Sequence, residues 1–334
     1  MPYKEALTLS SSKPKKKACY QVINWTQYNQ SLKKRGALSL YFPPGDLRSQ
    51  FINDAPYQKG ISGQSPTFSP AYIEIMYTFY RLLNFGIRQI TGYFEDLWKS
   101  KNLKIQVPSF GHLSDLFAAL PVKVKQFWNR LTGRINNGES IALILDSSGF
   151  QFSHASHWYE TKYNKPCKQR PWRKLHISMD SEQNMYGVEV TESNIPDLFM
   201  MNSLILDETI PAVDRVIADG GYYSIEGVEG LNTLGITPVI PPPRHSVVHG
   251  KPTTAYHDKI VQYIQDKGTV YAFHKKYNYG IRSRVEAQFS RIKRSIGNTL
   301  KTHTIHSQKR EAIVIANIIN RWNSFGLCIS VKTP

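Results

Sequence analysis

Two aspartates, Asp146 and Asp219, occupy the same kind of position in the sequence. Each directly follows a short apolar run, Ile141–Leu145 and Arg215–Ala218, and each is followed by small residues. Such runs predict strands buried on both faces, and side chains at strand ends converge at one edge of a sheet, where ligands bind. This spacing makes the pair candidates for a shared acidic site, although an aspartate after a strand can also simply cap a turn.

A third acid, Glu286, stands in a basic context. Tyr279, Arg282 and Lys293 lie at offsets of −7, −4 and +7 from it, which places all four within roughly 40° of one face of an α-helix. From residue 281 onward, Glu286 and Glu311 are the only acids among ten basic residues. An i,i+4 ion pair with Arg282 would explain part of this pattern, but not the tyrosine and lysine on the same stripe.

The charge of the chain indicates a polyanionic partner. Lys and Arg number 42 against 25 Asp and Glu, for a net charge of +17. Residues 1–130 carry 18 basic and 7 acidic side chains, residues 131–280 carry 14 and 16, and residues 281–334 carry 10 and 2. Basic flanks around a carboxylate-bearing centre favour nucleic acid as the partner, whereas solvated lysines are the simpler alternative.

The first third of the chain predicts helices. Residues 1–20 look like a flexible basic tail, and residues 21–135 look like a helical, DNA-binding region. One helix is predicted over Asn24–Arg35, capped by Asn24 or Thr26. Others are predicted over Ala71–Asn84, Ile87–Lys99 and from Ser109 past Leu116; this arrangement is compatible with a helix-turn-helix DNA reader, or with a plain helical bundle.

The remainder, residues 136–334, predicts one α/β domain around a mixed sheet flanked by helices. After Pro241 the sequence predicts a small irregular insertion lasting to about Lys276. The predicted strands are Ile141–Leu145, Phe150–Tyr163, Lys174–Asp180, Met185–Thr191, Arg215–Ala218 and Thr237–Ile240, and the predicted helices are Asp197–Leu206, Ser224–Leu234, Ile281–Ile296 and His306–Phe325.

Together these motifs resemble the DDE transposases of bacterial insertion sequences, in their "IS five"-like branch. The resemblance rests on a strand-end Asp, on Asp219-Gly-Gly-Tyr222, and on the Y-R-E-K spacing around Glu286. It extends over most of the chain, including Trp172–His176, Trp25 with Tyr28, and Arg88–Gly92.

The resemblance implies a ribonuclease-H-like core preceded by the helical DNA-binding region. It implies cutting and joining of DNA with Mg²⁺ or Mn²⁺, two ions per site about 3.5–4 Å apart. Asp146 would bridge the ions, with Asp219 on one and Glu286 on the other. The partners would be target DNA and double-stranded DNA bounded by terminal inverted repeats, with a homodimer in the active complex, in the bacterial cytoplasm on the nucleoid. Phosphates would be held by Tyr279, Arg282, Arg291, Lys293 and Arg294.

Other polar residues are weaker candidates. Asp180 ends a predicted strand and is an alternative first ligand. His176 is expected to pack or to contact DNA. Four acids are expected on solvated helix faces or in loops, and two histidines point to opposite faces of a predicted strand; these are Glu226, Glu229, Asp207, Glu208, His154 and His157.

Other functional classes fit less well. No apolar run approaches a membrane span, the N-terminus lacks a signal pattern, and Cys19, Cys167 and Cys328 lack zinc or disulfide spacing. A metal-dependent nuclease without strand transfer and a catalytically silent DNA-binding descendant of a transposase stay open. A glycoside hydrolase with two carboxylates leaves Arg282 and Lys293 without a role.

Overall fold

The chain divides into two compact units. The computed structural model describes residues 19–53, 67–127, 140–152, 162, 172–205 and 213–333. One unit comprises Met1–Leu38 and Phe325–Pro334, the other Ser39–Ser324. Nearly all of the predicted basic tail, and the predicted strand residues 153–161, lie outside the described residues. Among the residues that are described, no helix is long and apolar enough to cross a bilayer.

Most of the predicted strands and helices are present in the predicted order, together with several elements that were not predicted. The strands are β1 (Tyr20–Val22), β2 (Ile141–Phe152), β3 (Trp172–Met179), β4 (Met185–Glu192), β5 (Val213–Ile217), β6 (Thr237–Val239), β7 (Thr299–Leu300) and β8 (Ser330–Lys332). The α-helices are α1 (Trp25–Gly36), α2 (Leu47–Phe51), α3 (Pro70–Leu82), α4 (Ile87–Ser100), α5 (Phe110–Ala119), α6 (Met201–Ile205), α7 (Ile225–Thr233), α8 (Ala255–Lys267), α9 (Val270–Lys276), α10 (Ser283–Ser295) and α11 (Ile305–Phe325).

The smaller unit joins the two ends of the chain. β1 pairs antiparallel with β8, and Asn24 precedes α1 as predicted. Its side chain does not cap the helix. Instead, Asn24 Nδ2 donates to Leu327 O and Asn24 Oδ1 accepts from Ile329 N, both at 2.8 Å. These two hydrogen bonds therefore hold Leu327 and Ile329 beside Asn24 and β1.

The helices α3, α4 and α5 pack around aromatic side chains. Ser69 caps α3 by accepting a hydrogen bond from Tyr72 N at 3.2 Å, as Ser-Pro at a helix start predicts. Phe51 stacks on Tyr72 with ring centroids 4.8 Å apart, and Trp98 Nε1 donates to Tyr72 Oη at 2.8 Å. The predicted helices are confirmed here, while a DNA-reading role for them stays a prediction.

A six-stranded mixed sheet forms the centre of the larger unit. Its order is β4-β3-β2-β5-β6, with β7 also paired to β2. β2, β3 and β4 run antiparallel, and β5, β6 and β7 run parallel to their neighbours. Leu143, Ile144 and Leu145 are fully buried, as the apolar run predicts. A mixed sheet flanked by helices is compatible with the expected ribonuclease-H-like fold.

Two secondary-structure predictions were wrong. β2 does not end before Asp146 but continues to Phe152, because β3 pairs with it from Ile144 to Gln151. Residues 255–276 are not irregular but form α8 and α9. Tyr256, Ile260 and Val261 give α8 a buried face, and Gly268 ends the helix at a φ of 65°, a backbone conformation that glycine adopts at little cost.

Candidate active site

An opening in the sheet places the first two aspartates side by side. β5 runs parallel to β2 and ends with Ile217 opposite Ile144. β7 pairs with the same edge of β2, but only at Gln151 and Phe152. Between these points, no described strand pairs with this edge of β2. Asp146 lies at the start of this opening, and Asp219 follows the end of β5 by two residues, so the topology brings the two together.

Asp146 is a buried carboxylate with a cationic partner. Its residue is 8% exposed, and Oδ2 accepts a hydrogen bond from Arg282 Nη1 at 3.0 Å. Burial raises the pKa of Asp146 to about 6; the charges of Asp219 and Glu286 act in the same direction and Arg282 opposes them. The three acids are therefore electrostatic neighbours, although 140 residues separate the first from the last.

The Asp219 side chain is held by the glycine-containing turn that follows it. It is the residue before a 3₁₀ turn, Gly220–Tyr222, and its Oδ1 accepts from Gly221 N at 2.9 Å. A Cβ on Gly221 would lie 3.0 Å from that same carboxylate oxygen. A side chain at this position would crowd the carboxylate, so Gly221 has a direct steric purpose.

Glu286 lies on the first turn of α10 and faces solvent. Its side chain is 58% exposed, and Oε1 accepts a hydrogen bond from Arg282 Nη2. Arg282 thus contacts Asp146 with one terminal nitrogen and Glu286 with the other. Because the guanidinium group has two such nitrogens in a fixed plane, it can hold two carboxylates from distant parts of the chain.

The predicted single α-helical stripe is wrong in its first half. Tyr279 and Arg282 belong to a 3₁₀ turn, Tyr279–Arg282, which starts after Asn278 in the left-handed region with a φ of 54°. The α-helix begins only at Ser283. Arg282 still reaches Glu286 because its own backbone is helical, with φ −52° and ψ −33°.

Lys293 reaches back to β2. Its Nζ donates to Ser148 Oγ at 2.8 Å and lies 5.1 Å from the centre of the Phe150 ring. Asp146, Ser148 and Phe150 alternate along the strand and so share one face. The lysine therefore contributes a cation to the same face of β2 that carries Asp146, and burial lowers its pKa.

Tyr279 has a neighbour that the sequence did not indicate. His274, on α9, stacks on the Tyr279 ring with centroids 4.4 Å apart and planes 17° from parallel. The Arg282 guanidinium lies 5.9 Å from the centre of the same ring. Burial raises the pKa of Tyr279 to about 12, so the phenol is neutral beside the carboxylates. No spacing rule links a histidine five residues upstream to this stack.

The opposite face of β2 carries a partly buried polar network that sequence reasoning missed. Ser147 Oγ donates to Asp197 Oδ2 at 2.9 Å, and Lys174 Nζ donates to Asp197 Oδ1 at 2.9 Å. His176 Nδ1 lies 3.3 Å from Tyr222 Oη, and the Tyr222 hydroxyl also shares a hydrogen bond with Ser147. The network joins the residue after Asp146 to the turn that follows Asp219.

His176 packs inside this network. Packing was one of the two roles expected for it, the other being contact with DNA. It is fully buried, and its Nε2 is hydrogen-bonded to Thr191 Oγ1 at 2.8 Å. Burial lowers the pKa of His176 to about 4, and nearby Lys174 acts in the same direction against Asp197. The imidazole is therefore neutral at pH 7.

The remaining candidates lie elsewhere or outside the described residues. The Asp180 carboxylate accepts bonds from Asn184 and Tyr186 within the β3–β4 turn, so the structure does not bring this alternative ligand to the site. Glu229 accepts from His257 N at 2.8 Å, which corrects its expected solvated position, whereas Glu226 is exposed. His154, His157, Cys167, Asp207 and Glu208 lie outside the described residues.

The two further arginines point away from the carboxylates. Arg291 Nη1 donates to Asn323 Oδ1 on α11 at 2.6 Å. Arg294 is exposed, and its Nε donates to Ser290 O within its own helix. These hydrogen bonds lead to α11 and to α10 itself, whereas those of Arg282 and Lys293 lead to β2.

The chemistry of the acidic cluster suits a hard divalent cation. Carboxylate oxygens are the ligands that Mg²⁺ and Mn²⁺ prefer, and three carboxylates here influence one another electrostatically. Within the described ranges, no group of three or more His, Cys, Asp or Glu has the spacing of a formed metal site. The donor types therefore fit such an ion, with Arg282 in contact with two of the three carboxylates.

The acidic cluster lies where the parallel strand β5 ends beside β2. Binding of ligands beyond the carboxyl ends of parallel strands is typical of α/β domains. Residues 137–321 match the family model described as a transposase DDE domain. The match covers more than half of the chain, and the chain belongs to this family.

Proposed function

We propose that this protein is a DNA transposase that cuts DNA at the ends of an insertion sequence and joins the ends to target DNA. Asp146, Asp219 and Glu286 are its catalytic carboxylates. The observation that carries the proposal is their convergence with Arg282 and Lys293 at one opening of the sheet. Acids that would repel each other are held together beside cations, which suits a site for metal ions and phosphates.

The reaction requires an attacking oxygen and a leaving oxygen on one phosphorus. Two Mg²⁺ or Mn²⁺ ions, held by the three carboxylates, would activate the first and stabilise the second. Water attacks the phosphodiester, the bond to the 3′ oxygen breaks, and a 3′-hydroxyl is released. That hydroxyl then attacks a target phosphate, forms a new phosphodiester, and displaces a 3′ oxygen of the target.

The remaining site residues position DNA. Arg282 and Lys293 bind phosphate oxygens by charge-assisted hydrogen bonds, and Tyr279 supports Arg282 through its ring. Residues 21–135 supply further DNA contacts, and a homodimer brings two terminal inverted repeats together. Arg291 and Arg294 contribute to DNA binding away from the scissile phosphate. The Y-R-E-K spacing around Glu286 supports an assignment to the "IS five"-like branch.

Alanine variants at Asp146, Asp219 and Glu286 test the assignment. Each is incubated with candidate inverted-repeat DNA and Mg²⁺ or Mn²⁺, and the cleaved strands are mapped. Loss of cleavage with DNA binding retained is the expected result. Glu226→Ala, an exposed acid on α7, is the matched control and should cleave normally. Cleavage near the wild-type rate by any of the three variants would remove that residue from the site.

Products distinguish the related functions. Joined DNA molecules support a transposase, whereas cut DNA without joining indicates a nuclease on the same scaffold. DNA binding by the wild type without any nicking in Mg²⁺ or Mn²⁺ indicates a catalytically silent descendant.

A further inference from the structure

An exposed loop leaves the sheet at the edge that carries Asp219. Residues 241–254 connect β6 to α8 and are called the β6–α8 loop. β5 and β6 are parallel neighbours, so the loop and the Asp219 turn start from the same edge. The loop and the Asp219 turn also lie close together, because a Cβ added to Gly220 would be 3.4 Å from Pro241 O.

The β6–α8 loop is held in a defined shape by two residues of α8. His257 is buried; its Nε2 donates to Val247 O at 3.0 Å, and its Nδ1 then accepts from the Tyr223 hydroxyl. The Asp258 carboxylate accepts from His249 N, Gly250 N and Thr254 Oγ1 at 2.8–2.9 Å. A loop that is already ordered loses little conformational entropy when it binds a partner.

This fixed loop displays two apolar side chains among cations. Val247 is 57% exposed and Val248 is 42% exposed. Around them, four basic or titratable side chains are also exposed, and the sequence contains no acid between Glu229 and Asp258. The four side chains are Arg244, His245, His249 and Lys251.

Charge and position both identify DNA as the occupant. Val247 and Val248 are exposed on an ordered loop and so are free to meet a partner, and the charges of Arg244 and Lys251 beside them favour the phosphate backbone. Proteins that kink DNA insert apolar side chains between base steps, a use for which Val247 and Val248 are exposed. A second copy of this chain, with a net charge of +17, complements these cations less well than a polyanion does.

We propose that the β6–α8 loop docks on duplex DNA next to the scissile phosphate. Arg244 and Lys251 bind phosphates there, and Val247 and Val248 insert against the bases and unstack a step. The proposal rests on the proposed function, since it deepens the description of the same site. Unstacking at this position separates the strands where the acidic cluster must reach a phosphate.

Two variants of the full chain test the loop. Val247→Ser with Val248→Ser removes the wedge, and Arg244→Gln with Lys251→Gln removes the cations. Leu234→Ser is the matched control, because Leu234 is equally exposed, at 65%, outside the loop. The probe is inverted-repeat duplex with 2-aminopurine beside the mapped cleavage position, bound in Ca²⁺.

Wild-type protein and the Leu234→Ser control should raise 2-aminopurine fluorescence severalfold, and the double serine variant should not. The double glutamine variant should lower the slope of log K against log salt by about 2, one for each lost phosphate contact. The double serine variant should keep this slope.

Equal fluorescence for wild type and double serine variant, or an unchanged salt slope in the double glutamine variant, overturns the proposal. So does weaker self-association of the double serine variant without DNA, which would assign the loop to a second copy. Cleavage by the wild type in these cases leaves the proposed function standing. A wild type that neither binds nor cuts the DNA overturns both.

Discussion

The two faces of β2 differ although they alternate along one strand. Toward α10, Asp146 and Ser148 meet the side chains of Arg282 and Lys293 at an opening of the sheet. On the other face, Ser147 joins a partly buried network of hydrogen-bonded groups. Adjacent residues thus serve different purposes, because successive side chains of a strand point to opposite faces.

The α10 face of β2 carries the proposed catalytic groups, and the opposite face carries groups that position them. The α10 face gathers like charges around Asp146, an arrangement that costs stability and is kept where function needs it. The opposite face satisfies its polar groups among themselves, and it links Ser147 to Tyr222 and so the two aspartate-bearing segments to each other. Variants on the two faces should therefore lower the cleavage rate to different extents and change the pH dependence of the free energy of unfolding in different ways.

The largest effect is expected from Asp146→Asn on the α10 face. The rate of DNA cleavage should fall by on the order of 10³-fold, because several kcal/mol of transition-state stabilisation are lost. The free energy of unfolding should rise by on the order of 1 kcal/mol above pH 6, because a buried charge beside two acids is removed.

This stability gain should depend on pH. The pKa of Asp146 is raised in the folded state, so its charge costs stability above that pKa and the cost vanishes as pH falls toward 4. Urea unfolding at pH 8 and pH 4 measures the gain. A variant that unfolds more easily than wild type at pH 8 would contradict the idea that function, not stability, keeps this charge.

A smaller effect on cleavage is expected from Asp197→Asn on the opposite face. The variant keeps its shape but loses acceptor strength toward Ser147 and Lys174, so the cleavage rate should fall by about 10–100-fold, as for residues that orient ligands. DNA affinity should be unchanged, because both oxygens of the Asp197 carboxylate are already occupied by Ser147 and Lys174. Asp266→Asn, an acid that bonds only within α8, is the control.

Single-turnover rates and binding constants separate the two interpretations of Asp197. A variant that binds DNA more weakly but cleaves bound DNA at the wild-type rate would show that the network acts on binding and not on the placement of the aspartates.

The smallest effect at neutral pH is expected from His176→Gln, which tests the network through pH. The pKa of His176 is lowered to about 4 in the folded state, so the unfolded chain binds its proton first as pH falls below about 6.5. Wild type should therefore lose up to about 3 kcal/mol between pH 6.5 and 4. The variant lacks this contribution, and its free energy of unfolding should depend less on pH in that window.

Urea titrations of both proteins across this range give the comparison. Identical pH dependence for wild type and variant would mean that His176 is not neutral and enclosed as the network requires.

Much of the fold could be predicted because local rules determined it. The helices α3, α5 and α7 begin within a few residues of their predicted starts, where serine side chains cap them, and the apolar runs before Asp146 and Asp219 are buried strands. The length of β2 could not be predicted, because pairing with β3 extends it through polar residues. α8 and α9 were missed because the proline run obscured their helical spacing.

The sequence by itself determined the residue types at the site: two acids after apolar runs, one acid in a basic segment, and the spacing that lets Arg282 reach Glu286. These are local properties, and they were enough to indicate the transposase family. Only the tertiary structure decided which side chains share a face. The opening between β5 and β7, the His274 stack and the Asp197 network all join distant segments, and such contacts depend on strand order and register, which no local spacing encodes.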